Sequence, residues 1–329
     1  MLSIREFDTG ITLGIGTFGR VKIARHKASG THCAIKILKK CELIRPKYVR
    51  HLMEERDILS GLNHPFIIKM HATFHDPRYI YMVFEFIQGG EMSTQIRSSV
   101  KKLGSEAAKF YIGSLVLAME YLHSKSIAYR DLKPENVLID DEGYVKLCDF
   151  GFAKKIDNVT YTVCGTAEYL APEIITKEGH GKSVDWWALG ILMYESLTGQ
   201  VPFRAAGAMD TFQTVLNGKL VFPRKFGCTR AKDLIRNLLQ RDVKMRYGSG
   251  DVGVESIKSS DWFKFFDFNS LAERRLDAPW VPRTRNASDT SNFRRYAEPT
   301  RAQNSRVRAL DPKDDPFTNF SIHAMPIAV

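Results

Sequence analysis

The stretch Tyr129-Arg130-Asp131-Leu132-Lys133-Pro134-Glu135-Asn136 carries the densest set of reactive side chains in the chain, and Asp149-Phe150-Gly151 follows it closely. The runs Val137-Leu138-Ile139 and Val145-Lys146-Leu147, which lie between the two motifs, predict the two short strands of a hairpin. The polar residues are therefore expected on loops at strand ends. Two carboxylates, an amide and an ammonium come together there.

Two interpretations of this stretch are open. A segment rich in Asp and Asn can be a solvated turn without chemistry. Phosphoryl transfer needs such a set, because an enzyme must hold divalent metal on the leaving phosphates, orient an attacking hydroxyl and neutralise charge. The presence of both motifs in this order favours phosphoryl transfer.

The pattern Asp131-x-x-x-x-Asn136 followed by Asp149-Phe150-Gly151 resembles the catalytic loop and metal-binding loop of the eukaryotic protein kinases. The resemblance implies ATP and Mg2+ as cofactors. It implies that Asp131 accepts the proton of the substrate hydroxyl and that Lys133 contacts the γ-phosphate. It further implies that Asn136 and Asp149 hold magnesium.

Length and composition are those of a globular protein. A chain of 329 residues with 44% hydrophobic and 26% charged residues is long enough for two domains or two lobes. The start, Met1-Leu2-Ser3-Ile4-Arg5-Glu6, is charged where a secretory signal needs an apolar run, and Leu2 excludes N-myristoylation. The five cysteines form no C-x-x-C pair, which predicts free thiols in a reducing compartment and no zinc. We therefore expect a cytoplasmic protein, with the nucleus as a second location.

The charge excess of +11 is uneven along the chain. We expect a solvated, partly extended C-terminal tail rather than a nucleic-acid site, since no basic stripe interleaved with aromatic residues stands out elsewhere. The arginines that crowd this tail are Arg283, Arg285, Arg294, Arg295, Arg301, Arg306 and Arg308. The most apolar run, 186–194, is shorter than the roughly 20 residues of a membrane span and predicts a buried helix.

A glycine-rich segment, Gly14-Ile15-Gly16-Thr17-Phe18-Gly19-Arg20-Val21, lies between two strand-like runs near the N-terminus. The same glycine pattern occurs in dinucleotide-binding units, but there the glycines open a helix. Here β-branched Val21 and Ile23 alternate with polar residues. The arrangement strand, glycine turn, strand is similar to the hairpin that covers the phosphates in kinases.

Lys36 follows on the next strand, in Ala34-Ile35-Lys36, where an exposed lysine is the alternative interpretation. A helix is predicted at about 48–61, and in it His51 and Glu55 share a face at i and i+4. The kinase resemblance pairs the strand lysine with a helix glutamate. Its spacing selects Glu55 over Glu54, which lies about 100° further round the helix.

The resemblance also implies a nucleotide pocket. Phe84 takes the gatekeeper position, the backbone of Glu85 and Ile87 meets the adenine edge, and Glu91 reaches the ribose and a basic substrate residue. We expect Cys148 to be a small buried filler in this pocket, since reactivity would need a lowered pKa. The full set implied around ATP is Leu13, Gly14, Gly16, Thr17, Phe18, Gly19, Val21, Ala34, Lys36, Phe84, Glu85, Ile87, Glu91, Lys133, Asn136, Cys148, Asp149 and Phe293.

Three further motifs narrow the resemblance: 164–173 (CGTAEYLAPE), 184–190 (VDWWALG) and 289–296 (DTSNFRRY). With them the chain, from Phe7 to about Phe320, is similar to the catalytic subunits of cAMP-dependent protein kinase, in the AGC group of Ser/Thr kinases. The implied fold is α+β and bilobal, with a C-terminal AGC tail at 264–329. In the kinase domain, 7–263, a small and mostly antiparallel β lobe with one key helix (about 7–86) precedes a larger, mainly helical lobe (about 91–263).

In this family the activation loop carries a phosphoacceptor, and the matching residue is Thr162. Phosphate adds about −1.5 to −2 charges, which orders a loop when cations converge on it. By resemblance the cations are Arg130, Lys154 and His51.

The resemblance also implies a basic substrate. Glu135 and Glu195 match a pair that grips arginine two residues before the phosphoacceptor, and Glu91 takes the arginine before that. The alternative interpretations are that Glu135 only supports the structure of the catalytic loop and that Glu195 only caps the end of a helix. A socket for the following apolar residue, matched by Val163, Ala167 (a proline in the family) and Leu170, completes the motif Arg-Arg-x-Ser/Thr-apolar. Thr166 is a further substrate-binding position that the resemblance implies.

Several residues depart from the family pattern. Tyr161 and Glu178 replace a tryptophan and a lysine that face the inhibitory cAMP-binding regulatory subunit, so that this partner is expected with two contacts changed. Arg294-Arg295 replaces an acidic pair, and Arg308 stands at the turn-motif serine. The terminal hydrophobic motif is matched by Phe317-Thr318-Asn319-Phe320. Further residues, beginning with Ser321, follow this motif, as in protein kinase B-like enzymes.

Three functional classes therefore remain. The favoured one is an active Ser/Thr protein kinase controlled by a regulatory subunit. The second is another AGC kinase, protein kinase B-like or cGMP-dependent-like, without such control. The third is a pseudokinase scaffold, which the presence of Lys36, Asp131, Asn136 and Asp149 opposes.

Overall fold

The computed structural model describes residues 2–94, 102–156, 158–250, 252–300 and 307–323. The chain forms two compact units, the first from 1–63, 68–90 and 282–329 and the second from 64–67 and 91–281. The C-terminal tail is thus divided between the units, with its first part, to Val281, in the second. Arg301 and Arg306 of the basic tail lie outside the described residues.

The first unit is built on a six-stranded antiparallel sheet with the strand order β1-β2-β3-β5-β4-β10. Phe7, Phe74 and Tyr81 stack in its core, with ring centroids 5.9 Å and 4.7 Å apart. The strands are β1 (Phe7–Gly16), β2 (Gly19–His26), β3 (His32–Lys39), β4 (Met70–His75), β5 (Tyr79–Glu85) and β10 (Ile322–His323).

Two helices follow β3, namely α1 (Lys40–Leu43) and α2 (Pro46–Ser60). Proline at the first helical turn needs no N–H partner, so α2 begins two residues earlier than predicted. The buried side chains of α2 are Leu52, Glu55 and Leu59. Their spacing of three and four residues puts them on one face, and Glu55 is the charged member of that face.

The last described part of the tail packs on the sheet of the first unit. Phe317 and Phe320 are completely buried. Thr73 on β4 donates its hydroxyl to Phe320 O at 2.7 Å and accepts from Ile322 N at 3.0 Å. The chain therefore supplies its own edge strand, β10, to β4.

The second unit is mainly helical. Its helices are α3 (Ser105–Ser124), α4 (Pro172–Thr176), α5 (Ser183–Thr198), α6 (Ala208–Asn217), α7 (Thr229–Leu238), α8 (Glu255–Lys258) and α9 (Phe268–Ala272). The apolar run 186–194 lies in α5 and is buried throughout, which confirms the predicted buried helix. At Gly190 a Cβ would come 2.9 Å from Leu238 Cβ, so glycine lets α5 and α7 approach closely.

Short strands accompany these helices. The predicted hairpin is present as β7 (Val137–Ile139) paired with β8 (Val145–Leu147), and β6 (Ile127–Ala128) pairs with β9 (Lys154–Lys155). Both pairs flank the stretch 129–136. Among the described residues, no helix has the length and apolar character needed to cross a lipid bilayer.

Candidate active site

The backbone of the catalytic stretch is held by a buried carboxylate. Arg130 and Asp149 adopt positive φ, 67° and 56°, which is unfavourable for residues with side chains. Asp185, with no exposed surface, accepts from Tyr129 N at 2.9 Å and from Arg130 N at 2.8 Å. It also contacts His123 Nε2 at 2.8 Å. Asp185 on α5 therefore fixes the strained turn before Asp131.

Asp131 is the centre of a hydrogen-bonded cluster. Its Oδ2 accepts from Lys133 Nζ at 2.8 Å and from Asn136 Nδ2 at 2.7 Å. Thr166 donates its hydroxyl to Oδ1 at 3.4 Å and accepts from Lys133 Nζ at 3.1 Å. Three of the predicted side chains are thus brought together around the Asp131 carboxylate.

Burial sets the acidity of this carboxylate. The Asp131 side chain is 5% exposed, and loss of hydration raises its pKa above the usual value for Asp. Lys133 and Asn136 oppose this effect because they stabilise the ionised form. An aspartate with a raised pKa is a stronger base, as a proton acceptor for a hydroxyl should be.

Asn136 and Asp149 have the chemistry expected of magnesium ligands. Asn136 Nδ2 donates to Asp131 O at 2.8 Å and to the Asp131 carboxylate. The amide oxygen of Asn136 is therefore the atom that can bind a cation. Among the described residues no group of three or more His, Cys, Asp or Glu could hold a metal. Magnesium commonly binds one or two protein oxygens together with phosphates and water, and this donor set fits that chemistry.

In the first unit, Lys36 and Glu55 form an ion pair. Lys36 Nζ lies 2.7 Å from Glu55 Oε1, and the two side chains are 23% and 6% exposed. Lys36 is in register with Val21 on β2 and Met82 on β5, in the middle of the sheet. The pair joins β3 to α2.

The glycine-rich turn joins β1 to β2. A Cβ on Gly14 or Gly16 would meet no atom within 4 Å, so the backbone is open to a ligand on that side. A Cβ on Gly19 would lie 1.9 Å from Ile37 O, so only glycine fits there. Phe18 at the tip packs against Tyr48 of α2, with ring centroids 4.8 Å apart.

The segment after β5 is pinned by the tail. Phe293 stacks on Phe86 at 5.9 Å, and Asn292 Nδ2 donates to Gln88 O at 3.0 Å. Phe84 and Ile87 are buried. The N–H of Glu85 donates to Lys69 O at 3.0 Å, so a contact of its backbone with a base would use the carbonyl.

Three more predicted nucleotide positions lie on the sheet of the first unit. Leu13 and Ala34 are buried and Val21 is half-buried, which places apolar surface on β1, β2 and β3. In the second unit Cys148 is half-buried, and its thiol contacts Asn136 O at 3.3 Å. This placement agrees with a filler role for the cysteine.

Thr162 is exposed, and two of its predicted cations make hydrogen bonds to other residues. Arg130 Nε donates to Phe152 O at 2.8 Å, and Lys154 Nζ donates to Thr160 Oγ1 at 3.1 Å. Arg130 Nη1 is buried without a hydrogen-bond partner among these residues. A buried guanidinium nitrogen in that state is suited to an incoming anion. His51 is a half-buried residue of the first unit.

An acidic cavity of about 580 Å³ lies in the second unit, where three glutamates outnumber two cations, Lys133 and Arg204. Glu135 and Glu195, the predicted pair, both line it, and so does Glu168. The hydroxyl of Tyr169 donates to Glu195. Lys133 and Thr166 line the same cavity, which connects it to the Asp131 cluster.

The other substrate positions also lie in the second unit. Glu91 accepts from the buried hydroxyl of Ser93 at 2.7 Å. Val163 is 47% exposed and Leu170 is buried, with Ala167 half-buried between them in the chain. Val163 therefore offers apolar surface, whereas Leu170 is covered.

Sequence reasoning missed three residues with clear contacts. Asp185 is the first, although a lone carboxylate directly before the apolar run 186–194 is a signal. Ser93 beside Glu91 gave no signal. Glu298 is the third: it accepts from Thr12 N at 2.6 Å and from Lys22 Nζ at 2.9 Å, which ties the tail to the base of the glycine hairpin.

Comparison with known proteins agrees with this geometry. The family model "Protein kinase domain" matches residues 7–263. The mouse cAMP-dependent protein kinase catalytic subunit PRKX is 45% identical over 97% of this chain and 88% of its own length. The human PRKX is 44% identical over 90% of this chain and 82% of its own.

A yeast relative extends the same result. The cAMP-dependent protein kinase type 3 of Saccharomyces cerevisiae is 42% identical over 97% of this chain and 79% of its own length. The bilobal expectation is met by the antiparallel sheet of one unit and the helices of the other. The chain belongs to the protein kinase family and is a Ser/Thr protein kinase of the cAMP-dependent protein kinase catalytic subunit type.

Proposed function

We propose that this kinase transfers the γ-phosphate of ATP to Ser or Thr in proteins with the motif Arg-Arg-x-Ser/Thr-apolar, under the control of a cAMP-binding regulatory subunit. The observation that carries the transfer step is the Asp131 cluster, in which one buried carboxylate is oriented by Lys133, Asn136 and Thr166.

Asp131 orients the substrate hydroxyl and accepts its proton as the oxygen attacks phosphorus. Lys133, 2.8 Å from this carboxylate, neutralises charge on the transferred group. Asp185 keeps the loop in its strained turn, so the groups need little reorganisation during the reaction.

ATP and magnesium fit the residues present. The open backbone at Gly14 and Gly16 can approach phosphates, and Lys36, oriented by Glu55, can neutralise them. Asn136 and Asp149 would hold magnesium, which stabilises the charge on the phosphates when it is bound. The apolar residues of the first unit, among them Leu13, would contact the base.

Substrate preference follows from the carboxylates. Glu135 and Glu195 line the acidic cavity, where an arginine side chain can make charge-assisted hydrogen bonds. Each such bond is worth roughly 1.5–3 kcal/mol. Glu91, oriented by Ser93, would take the preceding arginine. Val163, Ala167 and Leu170 would contact the apolar residue that follows the phosphoacceptor.

Regulation by a cAMP-binding subunit is supported by the names of the relatives, which are cAMP-dependent kinases. Tyr161 is 64% exposed, and its ring lies 2.9 Å from the position of a Cβ on Gly179, beside exposed Glu178. The two family departures therefore adjoin on one surface. An AGC kinase without this subunit is the second candidate, favoured by that altered surface.

Phosphorylation of an Arg-Arg-x-Ser-Leu peptide tests both parts. Transfer is expected, with a large rise in KM when either arginine is replaced by alanine. Addition of a purified regulatory subunit should inhibit the kinase, and cAMP should restore activity. Absence of transfer would contradict the transferase function, whereas transfer that is insensitive to the subunit would favour the second candidate.

A further inference from the structure

The segment 219–236 in the second unit is unusually basic. It holds six cations, Lys219, Arg224, Lys225, Arg230, Lys232 and Arg236, and one acid, Asp233. The net charge of +5 over these residues is nearly half of the chain's +11. The C-terminal arginines therefore account for only part of the charge excess, and this segment is a second concentration of it.

The fold gathers these cations on one surface. Phe226 N donates to Pro223 O at 2.9 Å, so Arg224 and Lys225 are the central residues of a tight turn. The rings on either side, Phe222 and Phe226, are 5.2 Å apart.

Two cations of α7 lie over the same rings. Lys232 Nζ is 5.8 Å from the Phe222 centroid and 5.6 Å from the Phe226 centroid. The Arg236 guanidinium is 5.5 Å from the Phe222 centroid. Helix and turn thus present a single surface, which we call the basic face and define as Arg224, Lys225, Lys232 and Arg236, flanked by Lys219 and Arg230.

The basic face has little internal compensation. Only Arg236 has an ion pair within the described part of the chain, with Asp233 at 3.0 Å. Five of the six cations are exposed, and Lys232 is half-buried. Like charges on adjacent turns repel, and cations at the beginning of a helix oppose its dipole, as Arg230 and Lys232 do in α7. Folding stability does not explain this arrangement.

The surroundings select among anionic partners. A specific protein interface needs an apolar core, and lysine is depleted in such cores. Here Val221, 67% exposed, is the strongly exposed large apolar side chain of the segment. Single-stranded nucleic acid stacks its bases on open aromatic rings. Phe222 and Phe226 are half-buried, with cations already over them.

We infer that the basic face binds anionic phospholipid at a membrane surface, with the kinase attached peripherally. Clusters of four to eight Lys and Arg beside an acidic leaflet bind without a fixed pocket, because lipid anions move laterally to meet them. An exposed valine among the cations can enter the headgroup region. This attachment is independent of peptide specificity and of the regulatory subunit.

Vesicle co-sedimentation tests the inference. The full chain is mixed with phosphatidylcholine vesicles containing about one third phosphatidylserine, and with vesicles of phosphatidylcholine alone. The triple variant Arg224→Gln, Lys225→Gln, Arg230→Gln removes three exposed cations. The matched control, Arg283→Gln, Arg285→Gln, Arg308→Gln, removes three exposed arginines of the tail and the same net charge.

Binding is expected on the acidic vesicles only, and it should weaken about 100-fold in the basic-face variant. The tail variant should bind within about threefold of the wild-type protein, and peptide phosphorylation should be the same in all three proteins. Raising NaCl from about 0.1 M to about 1 M should release the wild-type protein, because the screening length falls from roughly 10 Å to 3 Å.

Equal loss in the two variants would overturn the assignment, since net charge alone would then control binding. Failure of the wild-type protein to bind the acidic vesicles would also overturn it. Tighter binding to a polyglutamate peptide or a DNA duplex than to the vesicles, lost in the basic-face variant, would assign the face to another class of partner.

Discussion

At Asp131 two opposed effects set the pKa, and they can be separated. Burial raises the pKa, whereas the Lys133 ammonium 2.8 Å away lowers it. Lys133→Met removes the lowering effect, so the pKa of Asp131 should rise further. Because the proton acceptor must be ionised, the acid limb of kcat/KM should move to higher pH. The pH profile of peptide phosphorylation measures this shift.

Lys133→Arg is the matched control, since it keeps the cation and should leave the acid limb close to its wild-type position. Both variants lose rate through the altered phosphate contact, so the position of the limb is the informative quantity. A Met variant whose limb does not move would show that Lys133 has no influence on the proton acceptor.

Glu55 and its neighbour Glu54 offer a second comparison. Glu55→Gln removes the charge that orients Lys36, and kcat/KM for ATP should fall about 100-fold or more, as for the loss of one electrostatic contact in an active site. Glu54→Gln, one residue away, should lower it less than about threefold. Steady-state kinetics with varied ATP gives both values. Similar losses in the two variants would contradict the proposed role of the Lys36–Glu55 pair.

A single residue could be predicted from the sequence only where a local spacing or motif indicates its contact. The choice of Glu55 rested on its spacing from Lys36, and the structure contains that ion pair. Asp185 makes its hydrogen bonds to residues more than fifty positions away, so no local pattern reveals them. The buried Ser93 contact depends on a side-chain orientation that spacing does not predict.

Among the elements, the activation loop carries the next prediction. Arg130 has a buried nitrogen without a described partner, and Lys154 is already close to the loop at Thr160. A phosphate on Thr162 would add an anion for these cations. Thr162→Ala should therefore lower kcat/KM roughly 10- to 100-fold, measured with the same peptide. Mass spectrometry of the wild-type protein should find phosphate on Thr162.

Phosphatase treatment of the wild-type kinase is the control for that variant. It should reproduce the loss, and treatment of the Ala variant should change nothing further. Full activity of a protein that carries no phosphate on the loop would contradict the prediction.

The tail segment around Glu298 acts on the glycine hairpin within the first unit. Glu298 joins Thr12 on β1 to Lys22 on β2, and Arg20 Nη1 donates to Ala297 O at 2.7 Å. Glu298→Ala should loosen the hairpin and raise the KM for ATP roughly threefold to tenfold, with little change in the KM for peptide. Lys22→Met should give part of this effect, and the double variant should be less than additive.

Glu273→Ala is a suitable control, because Glu273 is also an exposed glutamate near an arginine but lies in the second unit. Its KM for ATP should be unchanged. An equal effect of the Glu273 and Glu298 substitutions, or strict additivity of the Lys22 and Glu298 changes, would contradict the proposed role of Glu298 in holding the glycine hairpin.

Elements differ in how well their sequences predict them. The β7–β8 hairpin was predicted to the residue because apolar runs flank an Asp- and Gly-rich turn. Helix α3 begins at Ser105, a residue type that favours the N-cap position, but the N-cap is Gly104. Strand β10 has two residues within the described part of the chain, and it exists because β4 offers an edge, which is a tertiary cause.

For the whole molecule, the length and the motifs predicted the fold class. They did not predict where the fold concentrates the positive charge of the chain. The basic tail was expected to explain the excess, and the division of the tail between two units was not foreseen. Charge distribution depends on which segments the fold brings to one surface. The basic face needs both the turn at 223–226 and α7, which meet where Lys232 and Arg236 pack on the rings of Phe222 and Phe226.

The end of the tail should contribute strongly to the stability of the first unit. Phe320 is completely buried, and its carbonyl accepts from Thr73. Removing a buried phenylalanine leaves a cavity and costs about 3–5 kcal/mol, so Phe320→Ala should lower the free energy of unfolding by that order. Phe265→Ala, at a residue 94% exposed, should cost less than about 0.5 kcal/mol.

Urea unfolding monitored by a signal from the first unit would measure both effects, and hydrogen exchange on β4 would locate them. The Thr73 hydroxyl bonds only hold while Phe320 and Ile322 are docked, so exchange at β4 should accelerate in the Phe320 variant and stay unchanged in the Phe265 variant. Equal exchange at β4 in both variants would mean that the sheet is stable without strand β10. The burial of Phe317 and Phe320 would then be a consequence of folding and would not stabilise the first unit.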